Sequence, residues 1–292
     1  KLDPQSIFRN IIAARTPQQA IEVLSLLKID PKILGKSVPV PQSGSESLAK
    51  PATSAVAFRF LLVADSHSDN VNLVKTINQA KESYPDLKFI IGLGDYTEVG
   101  TIDELKNAKK ELDNSSLRYF LIPGDHDLWD CRNRALAPTD CFNQVFGPAH
   151  QSFVFENFEF LLLNNSDNYT GFGGEQLKWI TEELERAKGA KGIFVFVHTP
   201  LYHPSSDHVM GWVEKSLKSQ SLGLMFQLKE VGVTKVFAGD IHYFSEYEEP
   251  KTQLPMVTIG AVGIERNPQA PRFAVVSVFD NGSVKVEDVI IL

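Results

Sequence analysis

The stretch Leu121-Ile-Pro-Gly-Asp-His-Asp127 shows most directly how this chain is built. An apolar run that begins at Tyr119 stops at Pro-Gly and is followed at once by two carboxylates around one histidine. Such a pattern indicates a buried strand that ends in a chemically active loop. Two earlier segments have the same form, because apolar residues 58–64 precede Asp65-Ser66-His67 and residues 89–94 precede Asp95. The repetition indicates one organising pattern rather than chance.

The rest of the chain continues this alternation of strands and helices. Apolar residues 192–197 lead to His198, and residues 236–238 lead to Gly239-Asp-Ile-His242. Helical patterns lie between the strands, at 71–83, 102–112 and 175–188. A strand-helix-strand rhythm predicts an α/β sheet. Residues 152–155 and 158–163 are instead predicted to form a hairpin, since only Glu156-Asn157 separates them.

Composition excludes several classes of partner. The chain has 292 residues, 43% of them hydrophobic, which is enough for a sizeable core. Its net charge of −7 gives no field that would attract a nucleic-acid scaffold or anionic lipid. No apolar run approaches the roughly 18 residues that a transmembrane helix needs. The expected partner is a small molecule, and the oligomeric state stays open.

Domain boundaries follow from changes in composition. Residues 1–35 are predicted to form a short helical extension, residues 36–56 a linker rich in Pro, Ser, Gly and Ala, and residues 57–292 the main domain. The chain begins with Lys1, so an upstream leader or anchor could have been removed. Cys131 and Cys141 lie in a loop-like segment and could close a disulfide or remain free thiols. A disulfide would favour an extracytoplasmic or envelope location over the cytoplasm.

The predicted strand ends supply eight side chains that can bind a metal. They are Asp65, His67, Asp95, Asp125, His126, His198, Asp240 and His242. Ligands in open α/β sheets bind outside the carboxyl ends of strands, where residues distant in sequence converge. Carboxylates and imidazoles together suit divalent ions such as Mn, Fe, Zn or Co.

These motifs resemble those of the calcineurin-like metallophosphoesterase superfamily. The five blocks stand in order as Asp65-Ser-His67, Gly94-Asp95, Gly124-Asp-His-Asp127, His198 and Gly239-Asp-Ile-His242. The resemblance implies a four-layer β-sandwich of two mixed sheets flanked by helices, and hydrolysis of a phosphomonoester or phosphodiester by metal-activated water. It also implies two metals, one held by Asp65, His67, Asp95 and His242, the other by Asp95, Asp125, His198 and Asp240. His126, oriented by Asp127, would then be the catalytic group just outside the metals.

Two positions depart from the family pattern. Asp125 stands where the family usually has Asn, and Asp240 where it usually has His. The second metal would then have three carboxylate ligands but only His198 as a nitrogen ligand, which favours Mn, with Fe, Mg, Co, Ca or Zn as the other candidates. The same departures motivate an alternative, a non-catalytic or single-metal binding domain that keeps the fold. His203 and His208 follow His198 closely and could reach the substrate or remain solvated.

Overall fold

The computed structural model describes residues 54–292. The predicted helical extension, 1–35, and nearly all of the predicted linker, 36–56, lie outside the described residues. Both of these segments, and the boundary at residue 57, therefore stay predictions. The first described strand begins at Val56.

Two mixed sheets form the centre of the domain. The first has the order β11-β10-β1-β2-β3, and the second has the order β4-β5-β6-β7-β9-β8. The strands are β1 (Val56–Val63), β2 (Leu87–Gly92), β3 (Arg118–Leu121), β4 (Gln151–Phe155), β5 (Phe158–Leu162), β6 (Gly192–Phe196), β7 (Lys235–Ala238), β8 (Ser245–Glu248), β9 (Pro255–Thr258), β10 (Arg272–Phe279) and β11 (Val284–Ile290). Parallel strands β1, β2 and β3 lie at one side of the first sheet, and β5, β6, β7 and β9 run parallel in the second.

Among residues 54–292, six α-helices cover the outer faces of the sheets or connect the strands. They are α1 (Asn70–Ser83), α2 (Ile102–Asn114), α3 (Trp129–Asn133), α4 (Asp140–Phe146), α5 (Gly174–Arg186) and α6 (Leu217–Val231). Helix α1 starts soon after β1 because the Asp69 side chain accepts a hydrogen bond from the Asn72 amide. Helix α2 starts with a capping box between Thr101 and Glu104. These caps fix the points at which the loops after β1 and β2 end and the helices begin.

A phenylalanine-rich layer fills the space between the sheets. Alternate residues of β1 point to opposite faces, so Phe58, Phe60 and Leu62 pack inward while Leu61 and Val63 pack under α1 and α2. Aromatic side chains from the second sheet complete the inner layer; they are Phe158, Phe160, Phe194, Phe196 and Phe237. One layer of helices, the two sheets and a second layer of helices make the four layers that the sequence resemblance implies.

The structure corrects the sequence interpretation in three connecting segments. Residues 129–142, expected to be loop-like, contain α3 and the first turn of α4. Helix α6 and the edge strand β8 were not predicted. Helix α6 lacks a one-sided apolar pattern, since Phe226 is 52% exposed while Leu224 and Met225 are buried. Short or weakly amphipathic helices of this kind depend on tertiary packing more than on local pattern.

A disulfide joins Cys131 of α3 to Cys141 of α4. Both cysteines are buried. Among residues 54–292, the structure contains no helix of the length and apolar character that a membrane span requires.

Candidate metal centre

The carboxyl ends of parallel strands from both sheets meet at one edge of the sandwich. There the loops after β1, β2, β3, β6 and β7 place their acidic and imidazole side chains next to one another. All seven of the metal-ligand positions inferred from the sequence lie in this cluster; they are Asp65, His67, Asp95, Asp125, His198, Asp240 and His242. The predicted convergence of distant strand ends is therefore what the fold produces.

The backbone at these strand ends adopts an uncommon conformation. Left-handed φ angles occur at five of the cluster residues; they are Asp65 at 54°, His67 at 43°, Asp95 at 54°, Asp240 at 68° and His242 at 59°. Such φ values are uncommon for residues other than glycine and are tolerated best by Asp, Asn and His. Backbone strain of this kind concentrates at functional sites.

Close backbone approach explains the glycine before Asp125. A Cβ atom on Gly124 would lie 2.0 Å from Oδ1 of Asp95. That carboxylate also accepts a hydrogen bond of 3.0 Å from the His126 amide. Gly124 thus lets the loop after β3 press directly against the carboxylate at the end of β2.

The first candidate metal position contains Asp65, His67 and His242. The Nδ1–H of His242 donates to the backbone oxygen of Arg266 at 3.0 Å, so its Nε2 carries a lone pair. This Nε2 lies 3.2 Å from Nε2 of His67. One cation between the two nitrogens would satisfy both, and the fully buried Asp65 adds a negative charge.

Asp95 connects the two candidate positions. Its Oδ2 lies 3.7 Å from Nε2 of His67, and its Oδ1 lies 3.6 Å from Nε2 of His198. Because its two oxygens face imidazoles from different halves of the cluster, Asp95 has the placement required of a bridging carboxylate.

The second candidate position contains Asp125, His198 and Asp240. The Nδ1–H of His198 donates to the backbone oxygen of Leu93 at 2.7 Å, which leaves the Nε2 lone pair facing the cluster. This Nε2 is buried, has no hydrogen-bond partner, and lies 3.6 Å from Asp125 Oδ1 and 3.9 Å from Asp240 Oδ1. A buried acceptor without a partner, facing several carboxylates, fits a divalent cation.

Burial and neighbouring charges shift the pKa values of several side chains in the cluster. Burial raises the pKa of Asp65 and raises that of Asp95 well above its usual range. Burial is the main cause that lowers the pKa of His67 to about 3, so its imidazole is neutral and can act as a ligand. Burial also opposes the charged form of His198, but carboxylates, Asp95 foremost, outweigh it and hold its pKa well above the usual range. A bound cation would supply the positive charge that these carboxylates otherwise take from protons.

His126 lies at the margin of the cluster and is held by three contacts. Its Nδ1–H donates to the backbone oxygen of Glu98 at 2.7 Å, and a guanidinium N–H of Arg266 donates to its Nε2 at 3.0 Å. Its ring stacks on Trp129 with the ring centroids 3.8 Å apart. The imidazole is thus fixed in one orientation beside the metal positions.

The expectation that Asp127 orients His126 is wrong. Oδ1 of Asp127 accepts hydrogen bonds from the amide and hydroxyl of Thr97, and Oδ2 accepts from the amides of Gly124 and Tyr96. This fully buried carboxylate therefore ties the loop after β3 to the loop after β2. The carboxylate acts on the backbone of both loops, and the carbonyl oxygen of Glu98 orients the His126 ring instead.

Sequence reasoning missed two residues near His126. Glu98 follows Asp95 by three positions, so its place on the same loop could have indicated proximity. Arg266 lies on the loop after β9, and nothing in the local pattern distinguishes it. Its guanidinium also forms an ion pair with the Glu98 carboxylate.

The two histidines that follow His198 have different environments. His203 is buried, and Nδ1 of its ring lies 3.2 Å from the Tyr243 hydroxyl. The side chain of His208 is 48% exposed, and its Nε2 lies 3.1 Å from Oδ1 of Asp240. Of this pair, His208 reaches the candidate metal centre.

The fold and the strand-end cluster together define the class of this protein. Two mixed sheets flanked by helices, with carboxylates and imidazoles converging at one edge, are the architecture of metallophosphoesterases. The chain belongs to the calcineurin-like phosphoesterase family, whose model matches residues 58–244. Members of this family use divalent metals in a dinuclear site.

Curated relatives are similar over part of the chain. A probable glycerophosphodiester phosphodiesterase GpdQ of Arcobacter nitrofigilis is 28% identical over 150 residues, covering 50% of this chain and 52% of that protein. A 3′,5′-cyclic-nucleotide phosphodiesterase of Nostoc sp. is 24% identical over 179 residues, covering 60% and 63%. The chain thus spans less than two thirds of the length of either relative.

Solved structures share the fold at low sequence identity. GAP50, the anchor in the inner membrane complex of Plasmodium, has a TM-score of 0.58 and 16% identity, with 81% of this chain and 85% of that chain covered. A purple acid phosphatase from yellow lupin has a TM-score of 0.57 and 15% identity, with 80% of this chain and 51% of that chain covered.

Proposed function

We propose that this protein hydrolyses a small-molecule phosphoester with two divalent cations. One cation would be held by Asp65, His67, Asp95 and His242, the other by Asp95, Asp125, His198 and Asp240. The observation that carries the proposal is the buried Nε2 of His198, which has no partner and faces three carboxylates while its Nδ1 is fixed by Leu93. Two such cations polarise a phosphoryl group and lower the pKa of bound water.

The chain's own groups would then position the substrate. His126 donates its Nδ1–H to the backbone oxygen of Glu98, so its Nε2 is the ring nitrogen that would face the substrate beside Arg266. Arg266 places a permanent positive charge next to that nitrogen. A phosphoryl oxygen entering beside His126 would accept hydrogen bonds from this guanidinium, which matches phosphate geometry well.

Manganese is the proposed metal. The second position has three carboxylates and one imidazole, a set dominated by hard oxygen ligands. Thiolate ligands are excluded, because both cysteines of the chain are joined in the disulfide. The relatives named as phosphodiesterases support a diester as the first substrate to test.

Hydrolysis by metal-stripped protein tests the proposal. Protein treated with a chelator and then supplied with Mn²⁺ should hydrolyse bis(p-nitrophenyl) phosphate or p-nitrophenyl phosphate, and Asp95→Asn should abolish the activity. No response to Mn, Fe, Co, Zn or Mg would contradict an enzymatic role and favour the binding-domain alternative.

A further inference from the structure

Asp240 is a buried carboxylate with an unusual set of neighbours. Its backbone amide donates to the carboxylate of Asp65 at 3.1 Å, which fixes the position of the strand end. Its Oδ1 lies 3.9 Å from Nε2 of His198, and its Oδ2 is buried with no hydrogen-bond partner. The Asp240 carboxylate is therefore part of the cluster. The strand-end residues alone, however, provide no hydrogen-bond donor to its two oxygens.

A residue of a neighbouring loop supplies a hydrogen-bond partner for the Asp240 carboxylate. His208 lies between β6 and α6, and its Nε2 is 3.1 Å from Oδ1 of Asp240. The Met210 amide donates to the backbone oxygen of Pro200 at 2.8 Å, which ties this loop to the end of β6. The Trp212 ring lies nearly parallel to the His208 ring, with an angle of 13° between them and 6.1 Å between centroids. The imidazole is thus placed by its loop although it is half-exposed.

The charge balance of the second metal position explains why a hydrogen bond to Asp240 would matter there. Asp95, Asp125 and Asp240 place three carboxylates around the single imidazole of His198. A divalent cation leaves such a set with excess negative charge in a buried environment, where uncompensated charge is costly. A hydrogen bond from His208 to Asp240 reduces that cost and keeps the carboxylate pointing toward His198.

We propose that His208 is a positioning residue for the second cation, donating its Nε2–H to Asp240 and so holding that carboxylate for metal binding. This inference rests on the proposed function. Among the described residues, the one candidate ligand cluster that includes Asp240 consists of Asp125, His198 and Asp240 and does not contain His208. The contact of His208 is with the Asp240 carboxylate itself, so we assign it the role of holding that ligand. Loss of such an outer partner typically weakens metal affinity by about 10-fold to 100-fold.

Two substitutions of similar size separate the hydrogen bond from simple packing. His208→Gln keeps an N–H donor at the end of the side chain, whereas His208→Met fills a similar volume without one. The exposed Asp207 of the same loop provides the control Asp207→Asn. Because position 208 is half-exposed, each variant should fold, which circular dichroism in a chelator checks.

Manganese titration followed by electron paramagnetic resonance gives the readout, because it counts free and bound Mn²⁺ without any turnover. Wild type, His208→Gln and Asp207→Asn should bind two ions per chain. His208→Met should keep the first ion and bind the second with a Kd about 10-fold to 100-fold higher. Equal second-ion affinity in His208→Met and wild type would overturn the inference, as would equal weakening in His208→Met and Asp207→Asn or in His208→Met and His208→Gln.

The same titration distinguishes this inference from the proposed function. A wild-type chain that binds no Mn²⁺ would contradict the proposed dinuclear hydrolase, and the role of His208 would fall with it. A wild-type chain that binds two ions regardless of the residue at 208 would contradict only the role of His208.

Discussion

A guanidinium N–H of Arg266 donates to Nε2 of His126 across 3.0 Å, although 140 residues separate the two in sequence. The same guanidinium pairs with the carboxylate of Glu98, whose backbone oxygen accepts from Nδ1 of His126. Both nitrogens of the imidazole are therefore engaged by one small group of residues. Since half of the Arg266 side chain is exposed, its remaining donors are accessible to a substrate.

Replacing Arg266 should weaken catalysis more than folding. In Arg266→Ala, kcat/KM for an aryl phosphodiester should fall by about 10²-fold, because a charged donor to the phosphoryl oxygens is lost. Arg266→Lys should restore only part of this, since a lysine lacks the planar fork. The control is Arg134→Ala, which removes an exposed ion pair with Asp130. Equal kcat/KM in Arg266→Ala and wild type would contradict a role in substrate binding.

Asp127→Asn should lower stability as well as activity. The carboxylate accepts four hydrogen bonds, and an amide would set its NH₂ against some of these donors. We expect a loss of about 2–3 kcal/mol in the free energy of unfolding, measured by urea denaturation in a chelator. If Asp127 instead acted by orienting His126, the variant would lose activity while its unfolding midpoint stayed unchanged.

Much of the fold could be predicted because strand signals were strong. Runs such as residues 192–197 are apolar throughout, and strands buried on both faces require this composition. The hairpin was also predicted, because only Glu156 and Asn157 separate its two strands. In the structure both residues adopt left-handed φ angles, of 49° and 65°, as a two-residue hairpin turn requires. Helix α6 was missed because its buried residues do not form one clean stripe.

The candidate ligands could be predicted because each lies within four residues of the end of a strand. The surroundings of His126 could not, because Arg266 reaches it from a loop whose position depends on how both sheets close. Asp127 shows a different limit, since its position beside His126 in sequence indicated an orienting role. A side chain adjacent in sequence can point away and accept hydrogen bonds from the backbone of another loop, as Asp127 does here.

Phe60→Ala should be among the most destabilising core substitutions. The ring is fully buried between the sheets and packs against Phe89, Phe160 and Phe237 with centroids 5.5, 5.6 and 6.3 Å away. Truncation leaves a cavity, so the free energy of unfolding should fall by about 3–5 kcal/mol in urea denaturation. Val154→Ala is the control because Val154 is 60% exposed; a similar loss in both variants would contradict this description of the core.

Metal addition should raise the thermal stability of the protein. The cluster holds four carboxylates at one edge of the sandwich, and cations that bind only the folded state stabilise that state by mass action. Each site should contribute about 2.7 kcal/mol when Mn²⁺ is at 100 times its Kd. Differential scanning calorimetry of wild type in Mn²⁺ and in chelator should show this rise, and Asp95→Asn should lose most of it. An unchanged Tm in wild type would indicate that the cluster does not bind Mn²⁺.

Asp240→His should change which metal the second position prefers. The substitution replaces one hard oxygen ligand by an imidazole nitrogen and removes one negative charge from the set around His198. Nitrogen ligands favour Zn²⁺ over Mn²⁺, so the Zn-to-Mn affinity ratio should rise by about tenfold, equivalent to about 1.4 kcal/mol. Elemental analysis after equilibration with both metals measures the ratio.

Asp125→Asn is the comparison, because it removes the same charge without adding an imidazole. If the two variants shift the ratio equally, charge and not ligand type sets the preference. If neither shifts it, Asp125 and Asp240 are not ligands of the second cation.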